Sequence, residues 1–128
     1  MLYMQKRARR ENITNLNWQI NMKDLEVYVG LSIKVGNVYG VCDEVCGSRL
    51  GFVWSDKDSW TGELVDANDV TICETEEDCE RGRLSALHYF EREAVDLRCR
   101  INMKRKTDDA EELSRLLSRC ENWLARLS

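Results

Sequence analysis

Leu31-Ser32-Ile33-Lys34-Val35-Gly36 is the first of five short apolar runs that together end at Cys73. The runs that follow are Val38 to Val45, Leu50 to Trp54, Trp60 to Val65 and Val70 to Ile72. Each is rich in β-branched or aromatic residues and is bounded by Gly, Asn, Asp or Ser, a pattern typical of short strands joined by tight turns. Gly40, inside the second run, indicates a β-bulge or a close approach of another backbone. The stretch therefore predicts a tightly turned, five-stranded antiparallel sheet.

Three details of this stretch resemble a known fold. Val35-Gly36-Asn37-Val38-Tyr39-Gly40-Val41 reads as a hairpin lead, the central run ends in Trp54, and Asp66-Ala67-Asn68-Asp69-Val70 reads as a tight turn. Over about residues 25–73 the pattern resembles an SH3-like small barrel of the KOW or Tudor kind, with Leu25 to Val29 as a first strand or lead-in. That resemblance implies binding of proteins, peptides or nucleic acid through loops. It places the candidate contacts at Tyr39, Trp54 and Trp60.

After Cys73 the apolar period becomes helical. Thr75 to Asp78 resembles a capping box, and an apolar stripe then recurs at three- and four-residue steps. Thr107 is expected to cap a second helix. The two stripes are Leu84, Leu87, Phe90, Ala94, Leu97 and Ile101, then Ala110, Leu113, Leu117, Cys120, Leu124 and Leu127, with Leu116 and Trp123 widening the second. A short link between such helices predicts an antiparallel hairpin.

The predicted class is α+β, an N-terminal five-stranded antiparallel SH3-like barrel followed by an antiparallel helical hairpin. Residues 1–22 form a basic, Asn-rich arm, residues 23–74 the barrel and residues 75–128 the hairpin, with helices over about 76–104 and 108–127. Because those helices exceed what a barrel of this size can cover, the apolar stripe of the second helix is a candidate dimer surface. We assign Leu113, Leu116 and Trp123 to it; the alternative is that the stripes only cover each other and the barrel.

Charge is distributed unevenly along the chain. The formal net charge is -4, yet residues 43–80 hold 12 acidic and 2 basic residues, whereas residues 81–106 hold 8 basic and 3 acidic ones. Lys6, Arg7, Arg9 and Arg10 add a basic cluster near the start. Such asymmetry indicates charged partners rather than a particular fold.

Catalytic and metal chemistry find little support. His88 is the only histidine, and the paired carboxylates fall on predicted turns and a helix start. The six cysteines form no C-x-x-C pair, so we interpret them as reduced thiols that fill a core. Glycine-rich phosphate loops are absent from the sequence. We therefore expect no enzymatic activity, no cofactor and no metal.

The preferred hypothesis is a small interaction protein, an adaptor or inhibitor, that docks acidic and aromatic barrel loops on the basic surface of a larger protein. Trp54, Asp56, Asp58 and Trp60 are the candidate contacts, with Tyr39 more weakly; Trp54 is also a candidate core residue. As a short chain with few domains, the protein is similar to accessory proteins of bacteriophages, including inhibitors of host defence.

Two alternatives remain: a nucleic-acid-binding module, against which the sequence pI of about 5.1 counts, and a structural subunit that assembles through the hairpin. Since no apolar run approaches the roughly 20 residues of a membrane span, and no export signal is evident, we expect a cytoplasmic protein without membrane contact. For a viral protein that compartment is the host-cell cytoplasm.

Overall fold

The computed structural model describes residues 25–103 and 109–128. The strands are β1 (Ser32–Val35), β2 (Val38–Cys46), β3 (Arg49–Ser55), β4 (Trp60–Asp66) and β5 (Thr71–Ile72), followed by the helices α1 (Glu76–Met103) and α2 (Ala110–Leu127). All strand pairs are antiparallel, and the sheet order is β4-β3-β2-β1-β5. The predicted α+β class, with a five-stranded sheet before a helical hairpin, is confirmed. The predicted arm at residues 1–22 lies outside the described residues.

The turns between the strands use the glycine and aspartate residues that the sequence predicts for them. Gly36 and Gly47 adopt positive φ values of 62° and 65° in the β1–β2 and β2–β3 turns, a region that glycine enters without strain. Asp66 caps the 3₁₀ turn Ala67–Asp69 by accepting from the Asn68 N–H. Of the two alternatives at the start, a strand or a lead-in, the structure has no strand there but a 3₁₀ turn, Leu25–Tyr28, that leads into β1 with Leu25 buried.

The sheet carries apolar residues on both faces because alternate side chains of a strand point to opposite sides. One cluster consists of Leu25, Ile33, Cys42, Leu50 and Phe52. The other lies between the sheet and the helices, where Val41 and Val53 meet the buried side of α1 and α2. β4 and β5 are the two edges of the sheet, and no described ladder joins them.

The backbone of α1 packs directly against the strands β1 and β2 at Gly82. A Cβ added to Gly82 would lie 2.6 Å from the carbonyl oxygen of Gly40 and 2.7 Å from the Cβ of Ser32. The Ser32 hydroxyl donates to the Cys79 carbonyl at 2.6 Å, and Ser85 accepts from the Ser55 N–H at 2.9 Å. The close approach predicted at Gly40 is therefore present, whereas the bulge lies three residues further on, at Asp43 between Cys42 and Glu44.

The two helices run antiparallel. Phe90 stacks on Trp123 with ring centroids 5.6 Å apart, and Arg98 pairs with Glu121 at 3.2 Å. The N-cap of α2 is Asp109, which accepts from the N–H groups of Glu111 and Glu112. The predicted cap, Thr107, lies outside the described residues.

The predicted apolar stripes match the structure over most of each helix. The buried face of α1 consists of Gly82, Ala86, Phe90, Ala94 and Leu97, so the last three agree with the stripe, whereas Leu84 is 39% exposed. In α2 the predicted Leu113, Cys120, Trp123 and Leu127 are buried, whereas Ala110 is exposed. Among the cysteines, Cys42 and Cys120 fill the core as expected, whereas Cys46 and Cys99 are exposed.

Candidate functional site

The predicted contact residue Asp56 organises the loop between β3 and β4. Its Oδ1 accepts from the backbone N–H groups of Asp58 at 2.8 Å and Ser59 at 2.9 Å, and these hydrogen bonds lower the pKa of the Asp56 carboxyl. Arg92 of α1 donates to the carbonyls of Asp56 and Ser59 at 2.8 and 3.1 Å. The loop is thus clamped to the helix, with the Asp58 residue exposed at its tip.

Trp54 and Trp60 face opposite sides of the sheet. Trp60 pairs with Ser55, is 39% exposed, and donates its indole N–H to Glu93 of α1 at 2.9 Å. Trp54 packs against the cluster on the other face. Its indole N–H reaches Glu63 at 3.0 Å. The structure therefore does not bring the two tryptophans into one surface.

Tyr39 lies in a basic environment. The Arg81 guanidinium lies 4.8 Å and the Lys34 ammonium 5.5 Å from its ring centroid. Both cations gain from the negative face of the ring. Tyr39 is therefore surrounded by the opposite charge from that expected of an acidic docking surface.

The predicted dimer residues contribute to the core of a single chain. Leu113 and Trp123 are 4% and 7% exposed, and Leu116 packs against the same cluster. Contact with a second copy through Leu113 or Trp123 would require the hairpin to open, whereas Leu116 is only partly buried.

A polar cleft of about 360 Å³ lies between the helix pair and the β2–β3–β4 part of the sheet. Its walls are Asp43, Glu44, Gly51, Val53, Gly62, Glu63, Leu64, Tyr89 and Arg119. Two glycines keep the sheet side open: a Cβ on Gly51 would lie 2.3 Å from the Asp43 carboxylate, and one on Gly62 would lie 2.9 Å from the Tyr89 hydroxyl. Its volume falls in the range of small-ligand sites, about 300–1,000 Å³.

The β-bulge in β2 supplies the buried carboxylate of this cleft. Asp43 lies at the register shift between Cys42 and Glu44, and its side chain is only 8% exposed. The Nη2 group of Arg119, in α2, donates to the Asp43 carboxylate at 3.0 Å and to the Asp43 carbonyl at 3.1 Å. A buried carboxylate needs such a partner because its desolvation is costly.

The cleft is negative overall. Two carboxylates line it, those of Asp43 and Glu44, and Arg119 is the single cation in its lining. Glu63 borders the cleft through the β4 backbone, since its carboxylate lies on the opposite face of the sheet and accepts from the Trp54 indole. Burial, together with the charges of Glu93 and Asp43, raises the pKa of the Tyr89 hydroxyl, so the tyrosine stays neutral at physiological pH. An anionic wall beside a neutral phenol suits a cationic guest better than an anionic one.

Sequence reasoning missed Asp43, Tyr89 and Arg119. The available signal was the Asp43-Glu44 pair inside an apolar strand run, which breaks the alternation as a bulge does. Nothing local links Asp43 to Arg119, because 76 positions separate them.

The outer strand β4 borders the cleft and is exposed. Within the parts of the chain described, β4 pairs only with β3. Gly62, Glu63, Leu64 and Asp66 are exposed, Leu64 to 45%. A sheet edge of this length, with unpaired backbone groups, is a template for a further strand.

No protein-family model, curated protein or solved structure matches the chain. Over residues 25–103 and 109–128, no group of three or more His, Cys, Asp or Glu side chains could hold a metal ion. Neither α1 nor α2 combines the length and apolar character that a membrane crossing demands.

Proposed function

We propose that the protein is a non-enzymatic interaction protein, an adaptor or inhibitor of the kind found among bacteriophage accessory proteins. It docks the acidic surface around β4 on the basic surface of a larger protein. The observation that carries the proposal is the acidic surface on both sides of β4: in the cleft, the Asp43 and Glu44 carboxylates share the single Arg119, and on the opposite side of the strand lies the exposed Glu63. The docking surface is centred on the β4 edge, with Glu44 and Leu64 on the helix side, Glu63 on the opposite side, and Asp58 and Trp60 at its rim.

Electrostatics supports a basic partner. Residues 43–80 hold 12 acidic and only 2 basic residues. This negative charge speeds the encounter with a positively charged surface and disfavours contact with negatively charged ones. Exposed aromatic and apolar side chains at the rim, such as Trp60 and Leu64, are of the types that contribute most to protein interfaces.

The arginines of α1 do not form a free phosphate-binding surface. Each of them already contacts an acidic side chain or a loop carbonyl. The pairs are Arg81 with Glu77, Arg83 with Glu80, Arg92 with the Asp56 carbonyl, Arg98 with Glu121 and Arg100 with Asp96. A protein partner therefore accounts for the charge distribution better than a nucleic acid does.

The thiols support a non-enzymatic role. Burial raises the pKa of Cys42, Cys73 and Cys120 to about 11. The thiolate is the nucleophilic form, so these groups remain unreactive near pH 7. His88, the one histidine, is exposed on α1.

The test is affinity capture with the tagged, reduced full chain from a lysate of the organism that encodes it, with and without nuclease. Three proteins are compared: wild type, a Glu44→Lys plus Glu63→Lys variant, and a control, Glu91→Lys plus Asp96→Lys, which makes the same charge change on the exposed side of α1. Circular dichroism confirms that each is folded.

We expect a partner that survives nuclease to be retained by wild type and control, and to fall at least about tenfold with the Glu44 and Glu63 reversal. Retention that is equal for all three proteins, or that disappears with nuclease, overturns the proposal.

A further inference from the structure

Within residues 25–103 and 109–128, no strand pairs with the outer edge of β4. The Asp56 N–H donates to the Ser59 carbonyl at 3.0 Å and marks a hydrogen-bonded position of the β3–β4 hairpin. Such positions alternate along an antiparallel ladder. Counting along the register, Thr61, Glu63 and Val65 bond to β3. The backbone groups of Gly62 and Leu64 therefore point outward.

This edge and the cleft form one continuous surface, since Gly62, Glu63 and Leu64 belong to both. A strand added outside β4 would send alternate side chains towards the helices and over the cleft. Those side chains would approach Tyr89, whose hydroxyl lies against Gly62. They would also approach Glu93, which is held there by the Trp60 indole.

The acidic charge of the β4 edge determines which kind of segment can pair with it. β4 carries Glu63 and Asp66 and no basic residue, so pairing of two β4 edges would bring acidic residues together and is disfavoured. Charged residues on an edge protect it against self-association. The same charges attract an extended segment that carries lysine or arginine.

We propose that the partner presents an extended, lysine- or arginine-containing segment that pairs with the outer edge of β4 as an added strand and places a cationic side chain over the cleft. This inference rests on the proposed function and names its mode of recognition. Backbone pairing supplies the affinity and alternate side chains supply the specificity. Asp43 and Arg119 form the fixed base of the cleft at 3.0 Å, and Glu44, 56% exposed and 3.9 Å from Arg119, is the carboxylate accessible to the guest.

The first test is selection from a displayed library of random decapeptides on the immobilised, reduced full chain at low salt. We expect enriched peptides with Lys or Arg at every second position and β-branched or aromatic residues between them. Enrichment of apolar residues at three- and four-residue spacing, enrichment of acidic peptides, or no enrichment overturns the inference.

The second test uses the most enriched peptide, free in solution, against wild type, Leu64→Pro and Leu64→Ala. Proline removes the outward N–H of residue 64, whereas alanine keeps it and trims only the side chain. We expect affinity to fall about tenfold or more with Leu64→Pro and by less than about threefold with Leu64→Ala. Equal losses contradict strand addition.

A peptide methylated at alternate backbone nitrogens gives the same information without changing the protein, should Leu64→Pro not fold. We expect about tenfold weaker binding of the methylated form that blocks pairing, and unchanged binding overturns the inference. Capture of the lysate partner that depends on Glu44 and Glu63, but not on the N–H of residue 64, would retain the proposed function and reject strand addition. Capture that depends on neither rejects both.

Discussion

Gly82→Ala tests whether close contact between α1 and the sheet overrides helix propensity. In an exposed helix interior, replacing glycine by alanine stabilises a protein by about 1 kcal/mol. Here the added Cβ would lie 2.6 Å from the Gly40 carbonyl oxygen and 2.7 and 2.8 Å from the Cβ and Oγ of Ser32. Carbon atoms in contact need about 3.5–4.0 Å, so α1 must move away from the sheet.

Overpacking of this kind costs about 1–3 kcal/mol. After the gain in propensity, we expect a net destabilisation of up to about 2 kcal/mol. For a domain of this size the melting temperature then falls by up to roughly 8 °C.

Urea unfolding followed by tryptophan fluorescence, together with thermal melts, measures the effect. Ser114→Ala is the matched control, because Ser114 is exposed on α2 and its replacement gains propensity without a clash. We expect that variant to be unchanged or a few tenths of a kcal/mol more stable. If Gly82→Ala raised the urea midpoint as well, the contact geometry described for Gly82 would be refuted.

Three further predictions concern the cleft, the loop and the thiols. Arg119→Ala leaves the Asp43 carboxylate buried without its partner, so urea unfolding should show a loss of about 2–4 kcal/mol. Arg115→Ala breaks an exposed pair on the same helix and should have a much smaller effect, because solvent screens that pair; equal effects would contradict the role of the Asp43–Arg119 ion pair. Arg92→Ala releases the loop carbonyls that Arg92 holds and should lower stability by about 1–2 kcal/mol while speeding amide exchange in the loop; unchanged exchange would argue against the clamp. The folded-state thiol pKa values of Cys42, Cys73 and Cys120 are near 11, against 9.0 for an unperturbed thiol. Their contribution to the free energy of unfolding is therefore intact below pH 9 and declines as the pH rises from 9 to 11. Urea midpoints across this range test the sign, and a Cys42→Ala variant should show a weaker decline.

Much of the sheet could be predicted from sequence because strand signals are local. Alternating apolar residues and positive-φ glycines placed all five strands near their observed bounds. At the start, sequence alone does not decide between a strand and a lead-in, because Leu25-Glu26-Val27-Tyr28-Val29 alternates like a strand yet forms a 3₁₀ turn over Leu25–Tyr28. In the structure Val27 is 67% exposed and Leu25 is 4% exposed, since a 3₁₀ turn places residues i and i+3 on one face.

The first turns of α1 could not be predicted in detail. The existence of the helices and their hairpin arrangement follow from period and loop length, yet which residues α1 buries near its start depends on the sheet it packs against. Leu84 fits the apolar stripe by spacing and is exposed, because Gly82 and Ala86 are the residues small enough to contact the strands. The requirement for small residues is a property of the interface and cannot be read from hydrophobic period alone.

The cleft could not be predicted because it depends on long-range geometry. It requires the bulge at Asp43, the contact of Asp43 with Arg119, and the missing side chains of Gly51 and Gly62. The acidic character of this part of the chain was visible in the sequence. Its location beside an unpaired strand edge emerged only from the sheet order.

The most direct test of the account is residue-resolved amide hydrogen exchange of the full chain, alone and saturated with its captured basic partner. We expect the N–H groups of Gly62 and Leu64 to become strongly protected on binding, because both point away from β3. Those of Gly36 and Gly47, in the turns at the opposite ends of β2, should exchange at unchanged rates. Protection confined to other surfaces, with Gly62 and Leu64 exchanging as in the free protein, would contradict docking through the β4 edge.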